Sequence, residues 1–421
     1  MNTVITSSLS AYPVSSKSTK IYGIFWELLW FYLGVGIALS LILKDNLYLF
    51  SIITTSVNVF WGIVFGMVFL IRPSYLKSSL TVWIALYLLW LTVANILSPA
   101  VNSENFLRVW GFLIGKYSLI LATIIGFKIL RFSSALKRAA RGFVSGVFIS
   151  SLLFATLGLQ SIEVTNRLGS SEVINPKIIG QYLSIVIPIL VFLPVYRSTF
   201  MRYFLLYFLT VLLLATLSKS SIIGATVGVI TGWLLMKRKP VKLLIFIAIG
   251  GIAAVVLGTV EQIQYYFNSP LATTLTTRTL IWDVLLDLIE ERPLLGFGFG
   301  TMKDVMASFT SSLGWSTLIT QAHNAFLDSL FSGGYIGLSI FSIMILKILF
   351  LILKSLRKLK GEHPSSFMLS ILVVLLLRSM VEASLHLGMD FYILILLGLC
   401  AEEINRRQNS ITNLSVGEVK I

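Results

Sequence analysis

Arg278 and His323 bound the end of the only long polar interruption in an otherwise very apolar chain. Arg278 opens the run TRTLIWDVLLDLIEERPLLGFGFGT, at the start of a stretch with helical spacing. The N–H groups and dipole at a helix start favour an anion, and a guanidinium fork suits phosphate oxygens. His323 stands just before the return into apolar sequence, HNAFLDSLFSGGYIGL. A histidine is suited to general-base work near neutral pH. Blander roles fit the same positions. Arg278 could anchor a lipid head group or pair with Asp283 or Glu290, and His323 could be a solvated residue at a helix start.

Other residues extend the constellation. Lys219 sits between Ser218 and Ser220, and Arg167 lies in an earlier polar connection. With Arg278 they could place two or three cations at one membrane face, where an anionic, membrane-held substrate is met; either could also simply neutralise lipid phosphate. Arg378 and Glu382 lie four apart in an apolar segment, so on a continuous helix they share a face. Ionisable residues inside a span are costly and mark function by default. A structural ion pair and a substrate contact are both open for these two. Lys116 and Glu27 pose the same question. Gly296, Gly298 and Gly300 alternate, but no strand precedes them, so they read as a tight turn rather than a phosphate cradle.

The elements that must hold these residues are membrane helices. Hydrophobic residues make up 56% of the 421, charged residues 12%, and mean hydropathy is +0.90. Soluble domains carry roughly 25% charged residues. The composition predicts an all-α, polytopic membrane protein. Segments near 22–43, 47–71, 80–97, 109–130, 142–160, 177–196, 199–217, 220–236, 241–260, 325–353, 366–385 and 389–402 approach the about 20 apolar residues that a span needs. That gives about twelve transmembrane helices. Basic residues fall on alternate connections: Arg72 and Lys77; Arg131, Lys137, Arg138 and Arg141; Arg197 and Arg202; Lys237 to Lys239 and Lys242; Lys354 to Lys360; Arg406 and Arg407. By the positive-inside rule both termini are cytoplasmic.

The expected organisation is a cytoplasmic tail over 1–21, a bundle of about nine helices over 22–260, and a large periplasmic loop over 261–324. Further spans follow over 325–402, and a cytoplasmic tail over 403–421. In the loop, Thr276 or Thr277 can cap a short amphipathic helix of about 280–292 that stops at Pro293. The net charge of +15 is spread over short loops and reads as topology and attraction to anionic lipids, not nucleic-acid binding. One cysteine, Cys400, excludes an intrachain disulfide or thiolate metal site, and three histidines make a His-rich metal cluster a poor expectation. The polar start with Lys17 and Lys20 runs straight into a spanning segment, which argues against a cleaved signal peptide.

The run from Arg278 to Thr301, followed by His323-Asn324 and a Gly-containing helix, resembles the shared domain of bacterial O-antigen ligases and O-antigen polymerases. The segments RLGSSEVINPK from Arg167 and LSKSSIIGA from Leu217 resemble further motifs of that family. The resemblance covers about residues 165–340. It implies a metal-independent glycosyltransferase in the bacterial inner membrane, with its active site on the periplasmic face and no cofactor. The donor would be an undecaprenyl-diphosphate-linked glycan and the acceptor a glycan or lipid, in surface polysaccharide (O-antigen, exopolysaccharide or lipopolysaccharide) biosynthesis. Carried over by position, Arg278 would hold the diphosphate and His323 would act as base on, or orient, the acceptor hydroxyl. Arg167 would help bind donor phosphate or glycan, and Asn324 would accompany His323 at the substrate. Lys219 stands where the family usually has arginine; the charge is kept but the bidentate fork is lost. Arg378 and Glu382 are further candidate substrate contacts. A flippase of lipid-linked oligosaccharide is the alternative; it predicts internal repeats and helices broken near the midplane, and no half-to-half similarity is evident.

Overall fold

The structure is a computed structural model that describes residues 16–42, 47–71, 78–130, 132–165, 176–216, 218–236, 271–307, 309, 319–358 and 363–417. Arg167 and the expected span 241–260 lie outside the described residues. In chain order the helices are α1 Ser16–Ile42, α2 Leu47–Ile71, α3 Ser79–Ile96, α4 Phe106–Ile129, α5 Phe132–Thr165, α6 Pro176–Phe192 and α7 Thr199–Ala215. They continue with α8 Lys219–Leu235, α9 Leu271–Glu291, α10 Met302–Val305, α11 Ala325–Lys358, α12 His363–Ser379 and α13 Met389–Gly417. No strand occurs among the described residues.

Among the described residues, four segments are long and apolar enough to cross a membrane: Ser79–Ile96, Phe106–Ile129, Ser134–Leu157 and Ala325–Arg357. Five shorter apolar helices accompany them among the described residues: Ile52–Met67, Lys177–Phe192, Thr199–Ala215, Lys219–Leu235 and Ser365–Ser379. Their starts are set locally. The Ser78 hydroxyl accepts from the Thr81 N–H at 3.1 Å, and Ser198 accepts from Met201 at 3.3 Å, each satisfying an orphan first-turn donor. The bundle is sewn together by small residues. Close backbone approach through glycine is the usual means of packing helices without a hydrophobic driving force. A Cβ on Gly142 of α5 would run into the Glu27 carbonyl of α1. Gly228 of α8 lies against α12, where the Ser370 hydroxyl donates to its carbonyl at 2.6 Å.

α9 begins at Leu271, earlier than the expected 280, and ends as expected before Pro293. Between Pro270 and Pro293 the sequence contains no proline or glycine, so nothing stops helix propagation back past the threonines. Its apolar face is Ile281, Leu285, Leu288 and Ile289, buried against Phe297, Met302, Met306, Leu330 and Phe331. Asp283, Asp287, Glu290 and Glu291 are exposed on the opposite side.

The glycine run is a turn, with Gly296, Gly298 and Gly300 all at positive φ. It docks into a break in α11. Phe297 N–H donates to the Phe331 carbonyl at 2.8 Å and Gly298 N–H to Ser332 at 3.1 Å, while Tyr335 N–H returns a bond to Pro293 at 2.7 Å. The break is centred on Gly334, at φ 62° and ψ −166°. Only glycine occupies that region readily, and a Cβ there would collide with the Leu294 backbone. The other side of the turn is held by the α3–α4 connection. Asn95 accepts from Phe299 N–H and donates to the Phe299 carbonyl, Ser98 donates to Phe297, and Arg108 pairs with Asp304.

α12 ends at Ser379, short of the expected 385, so Arg378 and Glu382 do not share a helical face. The chain turns instead. Val381 N–H bonds to the Arg378 carbonyl at 3.0 Å, and the Asn324 carboxamide takes the Met380 carbonyl at 3.2 Å. With those carbonyls satisfied elsewhere the helix has no reason to continue.

Replacing Gly334 with alanine is expected to cost about 1–3 kcal/mol through the forbidden backbone region and to lower the melting temperature of the detergent-purified protein. Gly111→Ala, where a Cβ meets nothing within 4 Å, should leave it unchanged or slightly raised. Equal melting temperatures for the two variants would contradict the kink's dependence on glycine.

Candidate functional site

Three elements converge on one carboxylate. Glu382, in the connection between α12 and α13, lies 3.5 Å from the Arg278 guanidinium of α9 and 3.8 Å from His323 Nδ1 at the head of α11. Its side chain is 6% exposed, against 15% for Arg278 and 35% for His323. At 3.8 Å the histidine contact is electrostatic rather than a hydrogen bond. Gln321 Nε2 approaches the same ring nitrogen at 3.4 Å. Burial on its own pushes the Glu382 carboxyl up. His323 and the Arg278 charge, with Arg378 further off, outweigh it and leave the group below its ordinary value.

Arg278 reaches Glu382 because α9 is fixed by its apolar face. One turn on from Arg278, Trp282 Nε1 donates to the Ala322 carbonyl at 2.8 Å. His323 itself sits at φ 53°, a left-handed conformation uncommon outside glycine. It is followed by an N-cap. The Asn324 carboxamide oxygen accepts from Phe326 N–H at 2.9 Å and Leu327 N–H at 3.2 Å, which starts α11. Asn324 therefore spends its polar atoms on backbone. The Asp328 carboxylate accepts from the Ala322 N–H at 2.6 Å.

Sequence reasoning brought Arg278, His323 and Glu382 forward, and the structure puts the three together. It places Arg378 differently. Arg378 is fully buried, bridges to Asp390 at 3.2 Å, and donates to the Gln181 carbonyl at 2.9 Å. Ser384 closes that network, donating to Asp390 Oδ2 at 2.6 Å. The partner of Arg378 is thus Asp390, and Glu382 is turned the other way. Lys219 is the first residue of α8 and half-buried. Lys116 lies with its ammonium 4.7 Å from the Phe112 ring centroid, and Phe112 stacks on Phe299 of the turn at 5.4 Å. Glu27 faces Arg138 and Arg141 at 3.7 Å each. Among the described residues no group of three or more His, Cys, Asp or Glu could hold a metal ion.

Trp282, Asp328 and Asp390 escaped the sequence reading. A signal existed for two of them: Trp282 is one helical turn from Arg278, and Asp328 is a lone carboxylate in the first turn of a very apolar helix.

Residues 203–342 match the family model described as O-antigen ligase. That segment is similar to the O-antigen ligase domain and covers about a third of the chain. The matched segment holds Lys219, Arg278, His323 and Asn324. Arg167, Arg378 and Glu382 lie outside it, so Glu382 joins the site from beyond the matched segment. No curated protein matches the chain. The chain thus carries a segment similar to the O-antigen ligase domain among helices apolar enough for a membrane.

Glu382→Gln leaves Arg278 and His323 without a carboxylate and is expected to destabilise the protein by about 1–3 kcal/mol at neutral pH. The folded-state value of Glu382 lies below the unfolded one, so its contribution is complete above the unfolded value of about 4.3. It is lost as pH falls through the folded-state value. The wild-type and variant melting temperatures should therefore differ at pH 7 and converge as the pH drops below about 4. A gap that persists or widens in acid would contradict the charge pairing.

Proposed function

We propose that the chain is a glycosyltransferase of the O-antigen ligase/polymerase type, which transfers glycan from undecaprenyl diphosphate at the periplasmic face of the inner membrane. The observation that carries the reading is the Arg278–Glu382–His323 grouping, in which Arg278 and His323 come from the segment that matches the family and Glu382 from beyond it. A glycosyl diphosphate is already activated, so its departure needs cationic stabilisation more than a general acid. In the proposed step an acceptor hydroxyl oxygen bonds to the anomeric carbon. The bond from that carbon to the diphosphate oxygen breaks, and the electron pair leaves with the lipid diphosphate beside Arg278. The hydroxyl proton passes to His323 Nε2. Glu382, close to Nδ1, stabilises the imidazolium that forms as the proton arrives. A guanidinium has five N–H donors, so contact with Glu382 on one side leaves others for phosphate.

About twelve spans, cytoplasmic termini and an outward-facing site belong to the same reading, supported by the alternation of basic connections. Lys219 and Arg167 are proposed as further donor contacts by their place in the family's motifs.

The chemistry is tested by reconstitution with undecaprenyl-diphosphate-linked glycan, with and without a separate acceptor. His323→Ala should lower turnover by about 10²–10⁴-fold while the protein stays folded, and Arg278→Gln should act in the same direction. Chains lengthening without added acceptor identify a polymerase; product only with a separate acceptor identifies a ligase. Glycan moved across the bilayer with no covalent product would replace the enzyme reading with the flippase.

Orientation is separately accessible, because the single cysteine, Cys400, is buried. In a Cys400→Ala background, Asp287→Cys should react with an impermeant maleimide in spheroplasts. Lys354→Cys should react only after permeabilisation. The opposite pattern would reverse the topology.

A further inference from the structure

His323 occupies a backbone conformation that a non-glycine residue rarely adopts, and something must hold it there. Two side chains grip the residue before it from opposite ends. Asp328 Oδ1 accepts the Ala322 N–H at 2.6 Å, and Trp282 Nε1 donates to the Ala322 carbonyl at 2.8 Å. That carbonyl belongs to the peptide unit that carries the His323 nitrogen, so the grip is on the bond that aims the imidazole. Ala322 is fully buried and Asp328 nearly so, which keeps water from substituting for either partner. Trp282 is also one turn from Arg278 on α9. One helix thereby fixes the Arg278 guanidinium against Glu382 and the Ala322 carbonyl beside His323.

We propose that Asp328 and Trp282 are positioning residues for His323: they hold the two peptides that flank Ala322, the second of which leads into His323, so that the imidazole faces Glu382 and the acceptor. This rests on the reading of His323 as the base. Neither residue touches substrate. Among the described residues, the carboxylate that faces His323 is Glu382 from the α12–α13 connection, which also meets Arg278 from α9, and Asp328 lies on the helix that His323 precedes.

An oxygen acceptor is what Asp328 contributes, so Asp328→Asn should retain activity within about threefold (0.65 kcal/mol at RT of about 0.59). Asp328→Ala and Trp282→Phe should each lower kcat per folded molecule at least about tenfold, with KM for the lipid-linked donor unchanged, because Arg278 keeps its place. Folded protein is counted by size-exclusion profile and melting temperature. A residue that serves only the scaffold would lower the folded amount, or kcat and KM together, and would not be rescued by the amide. If Asp328→Ala does not fold, Trp282→Phe carries the test alone, since it removes one donor from a half-buried ring and keeps the packing. Wild-type kcat in Trp282→Phe, or an Asp328→Asn as inactive as Asp328→Ala, overturns the proposal. His323→Ala is run beside them. If it keeps full activity, the base assignment fails. If it is inactive while Trp282→Phe is unimpaired, the base stands and the positioning proposal falls.

Discussion

Two backbone hydrogen bonds, Phe297 N–H to Phe331 and Gly298 N–H to Ser332, are the constraint on which the end of the molecule that holds Arg278 and His323 depends. A helix entering a membrane normally keeps every carbonyl within itself, since lipid offers no partner. α11 gives up its own pattern at Gly334 and is repaid by the glycine turn. Irregular backbone within a spanning helix is tolerated only where protein satisfies it. The exchange fixes the turn to α11, and Asn95 and Ser98 fix it to α3. α9 leads directly into the turn and lies over it with its apolar face, so its position is set from both sides. Arg278 is delivered to Glu382 by this arrangement, not by a flexible loop.

Around the site the charges are arranged in two separate neutralised groups. Glu382 serves Arg278 and His323, while Asp390 serves Arg378. Had Arg378 taken Glu382, as a continuous helix would allow, His323 would face no carboxylate and Arg278 would be an uncompensated, largely buried cation. The end of α12 at Ser379 prevents that exchange. A break in regular structure therefore decides the electrostatics of the site.

What could be read from the sequence was local. Long apolar runs marked where helices lie, the helical spacing of Leu280, Ile281, Val284, Leu285, Leu288 and Ile289 marked the apolar side of α9, of which Leu280 is exposed, and Pro293 marked its end. The alternating glycines were legible as a turn because no strand stands before them. Arg278 and His323 were legible as candidates because polar residues at the edge of apolar sequence are few. What was not legible depends on contacts between distant segments. An i, i+4 argument for Arg378 and Glu382 assumes that the helix continues, and it is the Asn324 carboxamide, far off in sequence, that helps terminate it. The start of α9 was misplaced for a related reason: a capping threonine is a preference, and an uninterrupted run free of proline and glycine overrode it.

The buried Arg378–Asp390 pair bears on the site through the segment that carries Glu382. Desolvating both ions costs about as much as their attraction returns, so such a pair is a weak source of stability. Its geometry is specific instead. Arg378 ties the end of α12 to the Gln181 carbonyl of α6, Asp390 belongs to the first turn of α13, and Ser384 bonds Asp390 from within the intervening connection. Asn324 holds the same connection at Met380 from the α11 side. Glu382 lies between these two anchor points, two residues from each. A carboxylate that must face a guanidinium and an imidazole from two other helices cannot be left on a free loop. The polar network accounts for its fixed position at the bundle side, and the N-cap of α11 at the other. Asn324, adjacent to His323 in sequence, thereby couples the placement of the imidazole to the placement of its carboxylate partner through a single side chain.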